Sequence, residues 1–251
     1  MRSQTTPRQP SAAETTLAAG STVLLGIAAS LITLLAFAGI AFYLERGPVA
    51  AIDHQALYAA YQLRVNQSWL DGPMHAATWL GAVLGLTLQT IAGLLLIIWR
   101  KAERWRQDAV LLLMAICGAA LLNLLLKSQF ERPRPDLYPG PFSLASFSFP
   151  SGHSMSSAAF YGGLAWIAAR HIRSAGRRLG IALLAALVPA WIGVSRMYFS
   201  VHYPSDVLGG FAAGVAWLLT IEAASRFWRW RLRRRGESSP SDPGWSAPAG
   251  S

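Results

Sequence analysis

Apolar residues occur along this chain in blocks longer than a soluble core requires. Residues 15–44, 72–99, 109–126, 137–169, 179–195 and 207–221 contain no Asp, Glu, Lys or Arg. A helix rising ~1.5 Å per residue needs about 20 residues to cross the hydrocarbon of a bilayer, and most of these windows reach that length. The window 207–221 does so only with its flanks, and 137–169 begins as loop because Pro139, Pro141 and Pro150 interrupt it. The pattern predicts six spans, at 20–43, 75–98, 108–127, 153–170, 179–195 and 205–224. They lie too close together for separate domains. The expected fold is all-α, a polytopic membrane protein built as one six-transmembrane-helix bundle. Between spans 1 and 2, Glu45 to Pro73 places Tyr58, Tyr61 and Trp69 in a half-apolar pattern, which predicts an interfacial helical segment.

The flanks read differently. Residues 1–19 are polar, hold two prolines and show no periodicity, the pattern of a disordered N-terminus. Residues 20–225 form the expected membrane domain, and 226–251 a basic juxtamembrane segment with a disordered tail. Ala36-Phe37-Ala38 has the small residues of a cleavage site, but the apolar run is longer than the roughly 7–15 residues of a signal peptide, so the first span is expected to be retained. Gly210-x-x-x-Gly214 is expected to be a helix-packing face, and Pro189 to kink the fifth span.

Composition supports lipid as solvent: 53% of residues are hydrophobic and 14% charged, against roughly 25% charged in soluble domains. The net charge of +10 would suit nucleic acid, but its distribution does not. With the N-terminus placed inside, 16 of the 22 Lys and Arg residues fall on inside segments. The outside ones are Arg46, Arg64, Lys127, Arg132, Arg134 and Arg196. This positive-inside split puts both termini in the cytoplasm and argues against a nucleic-acid partner. The basic run Arg226 to Arg235, interleaved with Phe227, Trp228 and Trp230, reads as an anchor on anionic membrane lipids. Cys117 is the single cysteine and falls mid-span, which excludes an intramolecular disulfide and argues against a Cys-based metal site.

Three clusters of polar residues then fall on the outside face, although the charge count takes no account of chemistry. The first is Lys127 to Pro135, KSQFERPRP; the second is Pro150-Ser151-Gly152-His153; the third is Ser195 to Asp206, SRMYFSVHYPSD. His202 and Asp206 are spaced i, i+4, so a helix starting near Pro204 brings the carboxylate to the imidazole, fixing its tautomer and leaving the other nitrogen free to attack. Lys127, Arg134 and Arg196 together suit a polyanion, and Arg supplies a fork for phosphate oxygens. Ser151 and Gly152 open a helix whose first N–H groups are unpaired, a ready anion site, and Gly152 lets a phosphate approach the backbone. Each cluster alone has a plain structural explanation: a snorkelling Lys127, a Ser151 helix cap, an interfacial His202. Together they point to phosphate chemistry.

These residues resemble the three-part signature of the type-2 phosphatidic acid phosphatase superfamily. Lys-x6-Arg-Pro is met by Lys127 and Arg134-Pro135, Pro-Ser-Gly-His by residues 150–153, and Ser-Arg-x5-His-x3-Asp by Ser195, Arg196, His202 and Asp206. Arg132-Pro133 is an Arg-Pro pair in the wrong frame and receives no role. The resemblance implies a metal-independent phosphatase without cofactors, working through a phosphohistidine intermediate. His202 would be the nucleophile, Asp206 its orienting partner and His153 the general acid and base. Lys127, Arg134, Arg196, Ser151 and Gly152 would hold the phosphoryl oxygens. The expected substrate is a lipid phosphate or diphosphate, with undecaprenyl diphosphate the first choice and phosphatidylglycerophosphate, phosphatidic acid or lipid A phosphate the rivals. The expected location is the inner membrane with the site on the periplasmic face. A phosphotransferase using the same intermediate, or a lipid-binding protein without turnover, are the competing expectations.

Overall fold

The computed structural model describes residues 12–44, 47–136 and 146–237. No strand occurs among the described residues; the chain folds as α1 (Ala12–Tyr43), α2 (Gly47–Asn66), a 3-10 turn (Ser68–Leu70), α3 (Asp71–Gly81), α4 (Val83–Arg100), α5 (Trp105–Phe130), α6 (Gly152–His171), α7 (Ala175–Tyr198) and α8 (Pro204–Glu237). The six predicted spans all fall on helices, but their boundaries differ. α1 begins at Ala12, inside the stretch read as polar tail, and α8 runs on through the basic segment, so the chain has no break at 225. α7 continues unbroken through Pro189. The segment between spans 1 and 2 is helical, as α2, and among its described residues only Asp53 and Leu57 are buried.

Among the described residues, five helices are long and apolar enough to cross a membrane: α4, α5, α7, Val23–Tyr43 of α1 and Pro204–Trp228 of α8. α6 coincides with the predicted fourth span but is not among them. Its composition reflects its place. α6 is central, packed against α5, α7 and α8, and beside Met155, Phe160 and Ile167 it buries the small residues Ser154, Ser157, Ala158, Ala159 and Gly163. Small residues let helix backbones approach closely. A Cβ added to Gly210 would stand 2.6 Å from the Ser151 carbonyl oxygen, and one on Gly214 2.4 Å from that of Met155. The expected Gly210–Gly214 face is therefore the seat of α6 on α8. Gly214→Ala is expected to lower stability by about 1–3 kcal/mol, read as a lower unfolding temperature in detergent; an unchanged temperature would mean the helices are not held that closely.

The predicted second span, 75–98, is two helices. Ala82 is extended (ψ 156°) and ends α3, its N–H bonding to the Trp79 carbonyl at 3.1 Å. The break frees the Leu80 carbonyl, and Gln89 Nε2 covers it at 3.0 Å while also reaching Gly85 O at 3.0 Å. Gly85 is required there, because a Cβ would come within 2.0 Å of the Trp79 carbonyl oxygen. A polar residue in an apolar run thus repairs the backbone that the break exposes. α3 is thereby set against α7, where it reaches the site.

The far end of the bundle is pinned by charge. Arg170 on α6 lies 2.9 Å from Asp108 on α5 and 2.9 Å from Glu222 on α8, and His171 lies 2.8 Å from Asp108. A cavity of about 760 Å³ opens beside this cluster, lined by Gly93, Trp105, Asp108, His171 and Leu184 among others, and contains none of the predicted site residues.

Candidate active site

The first cluster follows the end of α5. Glu131 takes a left-handed conformation (φ 43°) and gives its N–H to the Lys127 carbonyl at 3.2 Å, which closes the helix. Arg132 and Arg134 each precede a proline and are kept out of helical conformation. Lys127 Nζ donates to the Phe147 carbonyl. Arg134 is fixed on three sides: Nε donates to Ser146 O at 2.8 Å, Nη2 to Ser146 Oγ at 3.0 Å, and Nη1 to Val201 O at 2.8 Å. The same Nη1 stands 3.2 Å from His202 Nε2.

The second cluster opens α6. Ser151 is the N-cap, its hydroxyl accepting from Ser154 N at 3.4 Å and from Ser154 Oγ at 3.1 Å, while its own N–H goes to the Asp206 carbonyl at 3.0 Å. The plain capping role is therefore present. The first-turn N–H groups of Gly152 and His153 have no intrahelical acceptor. Gly152 is small for a second reason besides access: a Cβ would lie 2.9 Å from Asn123 Oδ1, and Asn123 Nδ2 holds the Pro150 carbonyl at 3.2 Å. The His153 ring packs close to Gly81 of α3.

The third cluster bridges α7 and α8. Arg196, in the last turn of α7, donates from Nη1 to Thr78 Oγ1 at 3.2 Å, and Thr78 also bonds Ser195 Oγ at 2.7 Å. Arg196 Nε is buried without a partner, an expensive arrangement that an anion's oxygen would relieve. Pro204 starts α8 as expected, and His202 lies just before it with Nδ1 3.5 Å from Asp206 Oδ2. That contact is long for a hydrogen bond, and Nδ1 has no other partner. Asp206 is itself held, Oδ2 accepting from Tyr203 N at 2.8 Å and Oδ1 from Arg132 Nη1 at 2.6 Å.

The tautomer follows from these contacts. Arg134 can only donate, so the nitrogen it meets, Nε2, carries the lone pair, and the imidazole proton sits on Nδ1 facing Asp206. Burial holds the His202 pKa down to about 4, against the opposing pull of Asp206 and with further lowering by Arg134 and Arg196. Burial likewise lowers the pKa of Arg134. The ring of His153 is within electrostatic reach of Arg196, His202, Arg134 and Lys127. All eight residues singled out in the sequence gather at one end of the bundle.

Sequence reasoning missed several contributors. Thr78 sits in what reads as uniform span, and Asn123 is a lone amide in an apolar helix; a buried polar residue in such a run is the available signal. Arg132, whose Arg-Pro pair is out of frame with the signature, is buried and ion-paired with both Asp53 and Asp206. Burial pulls its pKa down, but the two carboxylates outweigh that and raise it.

Apolar helices that gather histidines, an aspartate and three cations at one end define a helical membrane protein with a cation-rich polar site. Residues 108–233 match the PAP2 superfamily. The chain is 37% identical over 153 residues to phosphatidylglycerophosphatase B of Bacillus subtilis (strain 168), covering 60% of this chain and 73% of that one. It is 36% identical over 121 residues to lipid A 1-phosphatase of Rhizobium johnstonii, covering 45% of each chain. Among solved structures, it resembles a transmembrane PAP2-type phosphatidylglycerolphosphate phosphatase from Bacillus subtilis, with a TM-score of 0.67, 31% identity, and coverage of 80% of this chain and 96% of that one. It also resembles LpxE from Aquifex aeolicus, with a TM-score of 0.53, 26% identity, and coverage of 69% and 94%. The chain belongs to the PAP2 superfamily, whose members are phosphatases, and it is an integral membrane protein.

Proposed function

We propose that this protein hydrolyses a phosphate or diphosphate ester of a lipid through a phosphohistidine intermediate, with six spans counting α6, α2 on the membrane surface, cytoplasmic termini and the site on the periplasmic face of the inner membrane. The observation that carries the reading is the state of His202: Nε2 bears its lone pair beside the Arg134 guanidinium, and Nδ1 faces the anchored Asp206. In the first step Nε2 attacks phosphorus, the bond to the lipid oxygen breaks, and that oxygen takes the proton of His153. In the second, His153 takes a proton from water, the water oxygen attacks phosphorus, and the P–N bond breaks to release phosphate and neutral His202. Lys127, Arg134 and Arg196 offset the charge on the transferring phosphoryl group, with Ser151 and the Gly152 N–H as further donors. Phosphoryl transfer is mostly positioning and charge stabilisation, so fixed cations can fill the part a metal plays elsewhere. Activity is expected to survive a chelator in full; its loss, with recovery on adding a divalent ion, would contradict this.

The substrate is argued from chemistry and kinship together. The relatives carry the names of a phosphatidylglycerophosphatase and a lipid A 1-phosphatase, which favours a phosphomonoester on a glycerophospholipid or on lipid A over undecaprenyl diphosphate. Phosphate release in mixed micelles from phosphatidylglycerophosphate, phosphatidic acid, lipid A 1-phosphate and undecaprenyl diphosphate tests this. The expected order puts a monoester first; turnover of the diphosphate alone would restore the other choice, and release from none would reject the reading.

Activity should follow a bell-shaped pH profile. The nucleophile works neutral, so the acid limb of kcat/KM is lost as pH falls through about 4, the value to which burial lowers His202, and not through histidine's ordinary 6.5. The basic limb, loss of the His153 proton, is read in kcat, where the bound phosphoryl oxygens offset the surrounding Arg196, Arg134 and Lys127 charges. A profile rising monotonically across both ranges would exclude these roles.

A further inference from the structure

We infer that Arg132 and Asp53 are positioning residues for the His202–Asp206 pair, and that Asp53 keeps a negative charge available to the imidazole; this rests on the proposed role of His202. Arg132 lies between two buried carboxylates from different helices. Its Nη1 donates to Asp206 Oδ1 at 2.6 Å and to Ser205 Oγ at 2.8 Å, and its Nη2 to Asp53 Oδ2 at 2.9 Å. Asp53, on α2, closes the ring: Oδ1 accepts from Ser205 N at 2.9 Å, and Oδ2 accepts the Ser205 hydroxyl. The guanidinium also stacks on Tyr203, 4.2 Å from the ring centroid. Asp53, Asp206 and Ser205 are all 5% exposed or less, so none of this is a solvated surface pair.

Two consequences follow from charge and geometry. The Arg132 bond to Oδ1 and the Tyr203 N–H on Oδ2 fix the carboxylate plane, which points Oδ2 at Nδ1. Arg132 alone would also cancel the Asp206 charge and leave nothing to stabilise a cationic or phosphorylated imidazole. Asp53 takes the other half of the guanidinium, so the three groups together carry one net negative charge. Asp53 also caps the first turn of α8 from another helix, where an anion is favourable. The other groups acting on His202 are Arg134 and Arg196, with His153 coupled to it; those on Tyr203 include Asp136, and His54 lies 5.5 Å from the Tyr203 ring.

The test is the acid limb of kcat/KM for Asp53→Asn, Arg132→Gln and the double variant, alongside thermal unfolding. A buried neighbouring charge moves a pKa by roughly a unit, which is about tenfold in the equilibrium, and Arg132 and Asp53 act on the imidazole through Asp206. Arg132→Gln lowers the net charge of the group from −1 to −2 and is expected to shift the limb upward by about one pH unit. Asp53→Asn neutralises the group and shifts the limb downward, with kcat falling about tenfold and KM unchanged, since neither residue meets the phosphoryl group. The double variant returns to −1 and to the parental limb. Opposed shifts that cancel are not produced by loss of packing. Limbs that stay in place, or move in the same direction in folded variants, overturn the inference. Should Arg132→Gln fail to fold, the near-isosteric Asp53→Asn and the charge-restoring double variant decide it. Phosphoenzyme trapping on the parent is run in parallel: no phosphate on His202 would sink the functional reading and this inference with it, whereas trapping with unmoved limbs sinks this inference alone.

Discussion

His202→Gln is expected to give a folded, membrane-inserted protein whose kcat is about 10⁴-fold below the parent's, with binding of the lipid little changed. His202 is 2% exposed and neutral at physiological pH, so an amide of similar size removes no charge from the fold. What disappears is the lone pair beside Arg134. An amide nitrogen has none to offer phosphorus. The loss therefore falls on the chemical step and not on the anion site, because Lys127, Arg134 and Arg196 are untouched. Steady-state kinetics in micelles check the split. A variant retaining a tenth or more of the activity would mean another group attacks.

His153→Gln should lose about 10²–10⁴-fold on a lipid monoester, because the alkoxide leaving group then departs without a proton. The deficit in kcat/KM should shrink sharply with a p-nitrophenyl ester, whose leaving group needs no acid. Hydrolysis of the phosphoenzyme still needs a base, so this variant should release p-nitrophenolate in a rapid burst followed by slow turnover. Equal losses on both substrates, without a burst, would remove His153 from proton transfer and leave it a structural residue against Gly81.

Most of the site was legible because its residues are costly where they stand. Lys127, Arg134, His153, Arg196, His202 and Asp206 interrupt apolar runs, and a charge near a span end needs a reason. The charge asymmetry of the loops placed them together before any packing was known. What could not be read belongs to tertiary structure. Arg132 and Arg134 look alike in sequence, each followed by proline, and only the fold shows that one meets two buried carboxylates while the other meets Nε2. Asp53 lies 153 positions from Asp206 along the chain, and no local pattern ties them. The break at Ala82 was hidden for another reason. It is repaired from within by Gln89 and Gly85, so the apolar window looks continuous. α6 shows the converse: its position was plain, but small polar residues that suit a central helix make it a poor span by composition alone.

One measurement bears most directly on the two imidazoles and three cations acting as one site. The protein is mixed with ³²P-labelled lipid phosphate, quenched within milliseconds, and digested to locate the label. An acid-labile, base-stable phosphate is expected on the peptide holding His202 in the parent, and it should accumulate in His153→Gln when labelled p-nitrophenyl phosphate replaces the lipid. Label on another residue, or none in either protein while phosphate is released at full rate by the parent, would contradict it.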